Sequence, residues 1–214
     1  MTKTKPIVLT ALILMAALSL TNLVGISASG TTVLVGIVVF FLNKMLLKRS
    51  YAQSGLDIKS VGRCLKGRPS VWIWLFMPLV MNAVCVFLAK AFVPEFLDHV
   101  MSRSGVAISF VNILLTILQL AIMALGEEIA WRAFFQNELQ GFVSGIPSLL
   151  ITSLLFALAH YASGEPVVVV YDIFFVFVNS ILYGIVFMKT KNAWLSAISH
   201  FIANVFCVVI LMII

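Results

Sequence analysis

The chain has 214 residues, of which 62% are hydrophobic and only 10% charged, with a net charge of +6 and a mean hydropathy of +1.14. A soluble domain of this length is usually about half apolar and about a quarter charged, so too little polar surface is present to cover a water-soluble globule. The basic excess flanks apolar runs instead of forming a nucleic-acid-binding patch. Those runs suit helices, which need about 20 residues to cross a bilayer, whereas a membrane barrel would alternate in short segments. The expected fold is an all-α, polytopic transmembrane bundle.

In chain order, run length places about seven spans, at roughly residues 7–28, 31–47, 71–93, 106–133, 147–162, 167–188 and 193–214. The first follows Lys3 and Lys5 as a signal peptide would, but its length and the close second span favour a retained helix. With the N-terminus cytoplasmic, twelve of the fourteen Lys and Arg residues fall on the cytoplasmic side, leaving Lys90 and Arg103 outside. The segment from Lys48 to Ser70 is expected as a solvated, topology-setting loop, in preference to an amphipathic stretch on anionic lipid. Cys64, Cys85 and Cys207 lack metal or redox spacing and read as free thiols. No internal repeat divides the chain, so residues 1–214 are expected to form one membrane domain.

Ionisable side chains within a bilayer are costly and mark functional positions by default. Three clusters stand out. In the fourth span, Glu128 and Arg132 are four residues apart and can pair on one helical face. Glu127 is turned about 100° away and has no such partner on its own helix, which leaves a carboxylate available for proton transfer. In the fifth span, Phe156 lies one turn from His160 and can brace its ring. In the seventh, His200 and Asn204 share a face that points into the bundle. Each cluster alone has a structural alternative: a salt-bridged helix end, a packed core histidine, and a polar pair joining helices.

The glycines and proline of residues 141–147 break the chain between the fourth and fifth spans. Residues 127 and 160 are equidistant from that turn, so Glu127 and His160 should stand level on neighbouring antiparallel helices and share a water. His200 reaches the same depth if the polar hairpin tip, Gln136 to Gln140, projects into the cytoplasm; Gly164-Glu165-Pro166 then falls within the bilayer, surrounded by protein or water. A further stripe, Asp172, Asn179 and Tyr183, reads as structural, with Asp172 paired to Lys90.

Glu127-Glu128 with Arg132 (E-E-x-x-x-R), Phe156 with His160 (F-x-x-x-H) and His200 with Asn204 (H-x-x-x-N), in this order on apolar helices, resemble the CPBP family. That family comprises CAAX proteases and bacteriocin-processing enzymes, including the Ras-converting CAAX endopeptidase of eukaryotes. The resemblance covers roughly residues 120–210 and makes residues 106–214 the motif-bearing core; Ala133 stands where many members have glycine. It implies an intramembrane endopeptidase acting on a membrane-associated peptide or protein, in which Glu127 and His160 activate water and His200 and Asn204 stabilise the oxyanion. Glu128, Arg132 and Phe156 would support the site.

The residues themselves are compatible with that chemistry: a carboxylate base, an imidazole to orient water, and donors for developing negative charge. No nucleophile–histidine arrangement of serine or cysteine competes with direct attack by water. A zinc-dependent version would use Glu127, His160 and His200 as ligands, but the compact H-E-x-x-H motif is absent, so no cofactor is expected. Non-catalytic alternatives are a transport protein with a proton relay and a bacteriocin-immunity protein. The short, weakly charged chain suggests a multi-pass protein of a bacterial plasma membrane.

Overall fold

The computed structural model describes residues 5–67, 69–104 and 113–213, and every regular element among them is helical. Helix α1 (Lys5–Thr21) carries Pro6 in its first turn, where a missing N–H breaks no helical bond. A 3-10 turn follows it and is closed by Gly25 at φ +81°, a left-handed conformation that glycine adopts without strain. After α2 (Ser29–Leu46) come the short α3 (Val61–Gly67), then α4 (Ser70–Phe92) and α5 (Phe96–Ser104). Helix α6 (Ile113–Glu128) continues as a π-helix over Ile129–Gln136 and ends in a single turn, α7 (Asn137–Leu139). The chain closes with α8 (Gly145–Ala159), α9 (Pro166–Thr190) and α10 (Ala193–Ile213). Helix α9 has a clear start signal: Pro166 at its head, and the Glu165 carboxylate accepting the Val168 N–H at 3.0 Å.

Among the described residues, six stretches are long and apolar enough to cross a membrane: Lys5–Val24, Ser29–Leu46, Ser70–Phe92, Ile113–Leu139, Pro166–Thr190 and Ala193–Ile210. The chain is therefore a polytopic helical membrane protein. The expected fifth span, at 147–162, corresponds to α8. Its 15 residues extend about 22 Å, short of a hydrocarbon core of about 30 Å. The helix ends at His160, and residues 160–165 carry the chain on to the start of α9. The first residues of the expected fourth span, 106–112, lie outside the described residues.

Helix α10 packs against α4, α6 and α9, while α8 lies between α9 and α1. Helix α2 lies along the π-helix, and the approach is tight. A Cβ on Gly36 would stand 2.6 Å from the Ala130 Cβ, and one on Gly184 would stand 2.2 Å from the Leu149 Cδ1. Small residues let membrane helices pack by close backbone contact, since lipid provides no hydrophobic drive between them. Around these contacts Met15, Phe40, Trp131, Phe134, Phe135 and Phe156 form the main core.

The segment between α2 and α4 differs from the expected solvated loop. It is bound to the α9–α10 turn: Asn192 Nδ2 donates to Asp57 O at 2.7 Å and to Ser60 Oγ at 2.8 Å, and Ala193 N donates to Gly55 O at 2.8 Å. Arg49 pairs with Glu138 at 2.7 Å, tying the same segment to the end of α7. Val61, Cys64 and Leu65 lean on Val71, Leu75 and Leu195. Its backbone groups find partners in the neighbouring turn, and its apolar residues have a surface to cover.

Candidate active site

Glu128 and Arg132 form the base of the polar cluster and are wholly buried. Arg132 Nε lies 3.2 Å from Glu128 Oε2, as the i,i+4 spacing anticipates, and Arg132 Nη2 donates to Ser180 Oγ at 2.9 Å. The guanidinium also stands 5.2 Å from the Phe156 ring centroid. Glu128 is shared three ways. Besides Arg132 it takes the Ser196 hydroxyl and, at 3.1 Å, His200 Nδ1. Ser196 is one turn before His200 on α10, so one helix supplies two of these groups.

His200 stands between the two glutamates. Its Nδ1 faces Glu128, and its Nε2 lies 3.7 Å from Glu127 Oε2. The carboxylate lacking a partner on its own helix therefore meets one across the bundle. The ring is held flat: Tyr183 stacks on it at 4.3 Å with 17° between the planes, and the Phe156 edge lies 6.1 Å away. A carboxylate can only accept, so the partner assigns a proton to His200 Nδ1.

His160 follows the last residue of α8. Its Nδ1 lies 2.8 Å from the Phe156 carbonyl, and the two rings are 4.4 Å apart. A carbonyl also only accepts, so this nitrogen carries the proton and a neutral ring keeps its lone pair on Nε2. The end of α8 is fixed from the N-terminal third of the chain. Asn22 Nδ2 and Ser29 Oγ both donate to the carbonyl of Ala159. Asn22 in turn accepts the Ala28 N–H at 3.0 Å and donates to Ser29 Oγ at 3.0 Å.

Glu127, Phe156, His160, His200 and Asn204 line one cavity of about 670 Å³. The residues expected to act together thus come together, from α6, α8 and α10. Asn22, Asn82, Asn179 and Tyr183 line the same space, although the sequence points to the last two only as structural and to the others not at all. Asn179 Nδ2 donates to Asn82 Oδ1 at 2.6 Å, and Asn82 Nδ2 donates to Ala203 O at 3.1 Å. This chain braces α10 beside Asn204. The expected Asp172–Lys90 pair is replaced: Asp172 binds Arg103 at 2.6 Å and 2.8 Å and lies 3.5 Å from His99 Nε2, because α5 lies against α9. Among the described residues no three His, Cys, Asp or Glu side chains are grouped as a metal-binding set.

Fold and site define a polytopic helical membrane protein with a buried acid–imidazole–amide cluster. The family model for type II CAAX prenyl endopeptidases, Rce1-like, matches residues 109–206, and this segment is similar to that family of membrane proteases. The kinship read from the three motifs is borne out over nearly the interval they span. The comparisons with curated proteins and with solved structures gave no match.

Proposed function

We propose that the protein is an intramembrane endopeptidase that hydrolyses a peptide bond by direct attack of water, and that it works in a bacterial plasma membrane. The observation that carries this reading is the single cavity lined by Glu127, His160, His200 and Asn204. A water held by the Glu127 carboxylate and the His160 Nε2 lone pair gives one proton to Glu127 as its oxygen attacks the scissile carbonyl. The C=O π pair moves to oxygen, and His200 Nε2–H and Asn204 Nδ2 donate to the resulting oxyanion. On collapse the C–N bond breaks, and the proton passes from Glu127 to the leaving amine. The products are a carboxylic acid, which gives its remaining proton to the amine to leave a carboxylate and an ammonium group, and Glu127 is regenerated.

The proposed roles place a proton on each ring nitrogen of His200, which stands between the two carboxylates. Its Nδ1 proton is directed to Glu128, and its Nε2 proton is available on the cavity side, near Glu127. Glu128 and Arg132 then act through His200 and never touch substrate.

Glu127→Gln keeps size and removes the base, so cleavage is expected to disappear while the protein accumulates normally. Glu128→Gln breaks the buried pair and costs about 3–5 kcal/mol, so abundance and thermal stability fall with activity. Mass spectrometry of peptides from cells carrying the wild-type or Glu127→Gln protein measures the first effect, and thermal unfolding of purified protein measures the second. An active Glu127→Gln enzyme would overturn the assignment. About one zinc per purified chain, with activity lost on removal and restored on return, would replace water activation by protein groups with a metal mechanism.

A further inference from the structure

The cavity has a floor towards one face of the membrane and a mouth towards the other. Its lining includes Gly25 and Ser27 between α1 and α2, Leu97 on α5, and Tyr161 to Ser163 between α8 and α9. Gly25, Ser27 and Ser163 are exposed, so the cavity reaches the surface there. Among the described residues, no lining residue comes from 47–67, 69, 140–147 or 189–193, the turns at the opposite ends of the helices. Beneath the floor the packing is closed: Glu128, Trp131, Arg132, Gln136, Val186 and Leu195 are 0–1% exposed.

Most basic residues stand on the closed side, and Lys90 and Arg103 stand on the other. Lys44, Lys48, Arg49, Lys59, Lys66 and Lys191 all lie in or beside those opposite turns, and short loops rich in Lys and Arg stay in the cytoplasm. On the mouth side Arg103 is matched by Asp172. The mouth combines hydrogen-bonding groups, Ser27, Asn22 and Ser163, with apolar Leu97, Val100 and Val208. That mixture suits an extended peptide with apolar side chains.

We propose that the site takes its substrate from the extracytoplasmic side. The substrate class is then an exported peptide, or the outward-facing segment of a membrane-bound one, and not the cytoplasmic C-terminus of a lipid-modified protein. The substrate assignment rests on the protease reading above; the direction in which the cavity opens does not.

Two measurements separate the two. Ser27→Cys and Ser163→Cys are placed in full-length protein carrying Cys64→Ala, Cys85→Ala and Cys207→Ala, with exposed Gln53→Cys as the reference for the opposite face. A membrane-impermeant maleimide is applied to spheroplasts and to inverted membrane vesicles, with labelling after denaturation as the total. Ser27→Cys and Ser163→Cys are expected to react in spheroplasts only, and Gln53→Cys in inverted vesicles only. Reaction of the mouth positions from the vesicle side, from both sides or from neither overturns the outward mouth. Mapping of new peptide termini in cells with wild-type or Glu127→Gln protein is expected to find the differences in exported sequences. Differences confined to cytoplasmic C-termini overturn the substrate class but leave the protease reading intact. No difference at all overturns the protease reading and the substrate class with it, whatever the labelling shows.

Discussion

Two hydrogen-bond donors from the N-terminal third, Asn22 and Ser29, converge on the carbonyl of Ala159, the residue before His160. A helix end leaves its last carbonyls without intrahelical partners, and in a bilayer water cannot be relied on to satisfy them. Asn22 therefore fixes the direction in which α8 delivers His160 to the cavity. Asn22→Ala is expected to lower kcat by about 10- to 100-fold, as small displacements of positioned catalytic groups do, with KM changed far less. Steady-state kinetics on the purified variant checks this, and a loss confined to KM would make Asn22 a substrate contact. The spacing of four from Ser196 to His200 was readable before the fold was known, but serine is too common in membrane helices for that spacing to single it out. Asn22 had no such signal, because its partner is 137 residues away.

At the scale of elements, the π-helix at Ile129–Gln136 begins directly after the two glutamates. The N–H of Asn137 reaches back five residues to the Arg132 carbonyl, widening the turn. All eight π residues are buried, and the Gln136 carbonyl takes the Ser148 hydroxyl at 2.7 Å. Neighbouring elements hold this geometry in place, above all α2 through Gly36. Gly36→Val would force the α2 backbone away from Ala130, whose Cα would lie 2.9 Å from even the first added carbon. Overpacking of this kind costs about 1–3 kcal/mol, seen as a lower unfolding temperature in nanodiscs, with activity reduced as the glutamates shift. An unchanged unfolding temperature would show that α2 adjusts freely. No residue pattern announces the π-helix, since an apolar π turn and an apolar α turn have the same composition.

Across the whole molecule, one end is tied together and the other is hollow. Asn192, 1% exposed, joins the α9–α10 turn to the segment following α2, and Arg49–Glu138 joins that segment to α7. The bonds Asn192 makes to Asp57 and Ser60 hold a stretch that contains Lys59. Asn192→Ala is expected to speed trypsin cleavage at Arg49 and Lys59 in inverted membrane vesicles, read by mass spectrometry of the released fragments. Cleavage at the wild-type rate would mean that Arg49–Glu138 alone secures the segment. A closed, cross-linked end and an open cavity at the other give the molecule a direction, and the distribution of Lys and Arg orients that direction in the membrane.

The sequence by itself determined the all-helical membrane fold, the order of the motifs and the resemblance to a protease family, because each rests on local composition and spacing. Apolar runs report spans, and E-E-x-x-x-R, F-x-x-x-H and H-x-x-x-N report helical faces through the 3.6-residue repeat. Run length did not show that α8, at 15 residues, is shorter than the six other apolar helices. The tertiary structure alone decided that His200 stands between both glutamates, that Arg103 and not Lys90 takes Asp172, that Asn22 fixes the end of α8, and which way the cavity opens. These contacts join residues far apart in the chain, and only the packing of whole helices sets their distances.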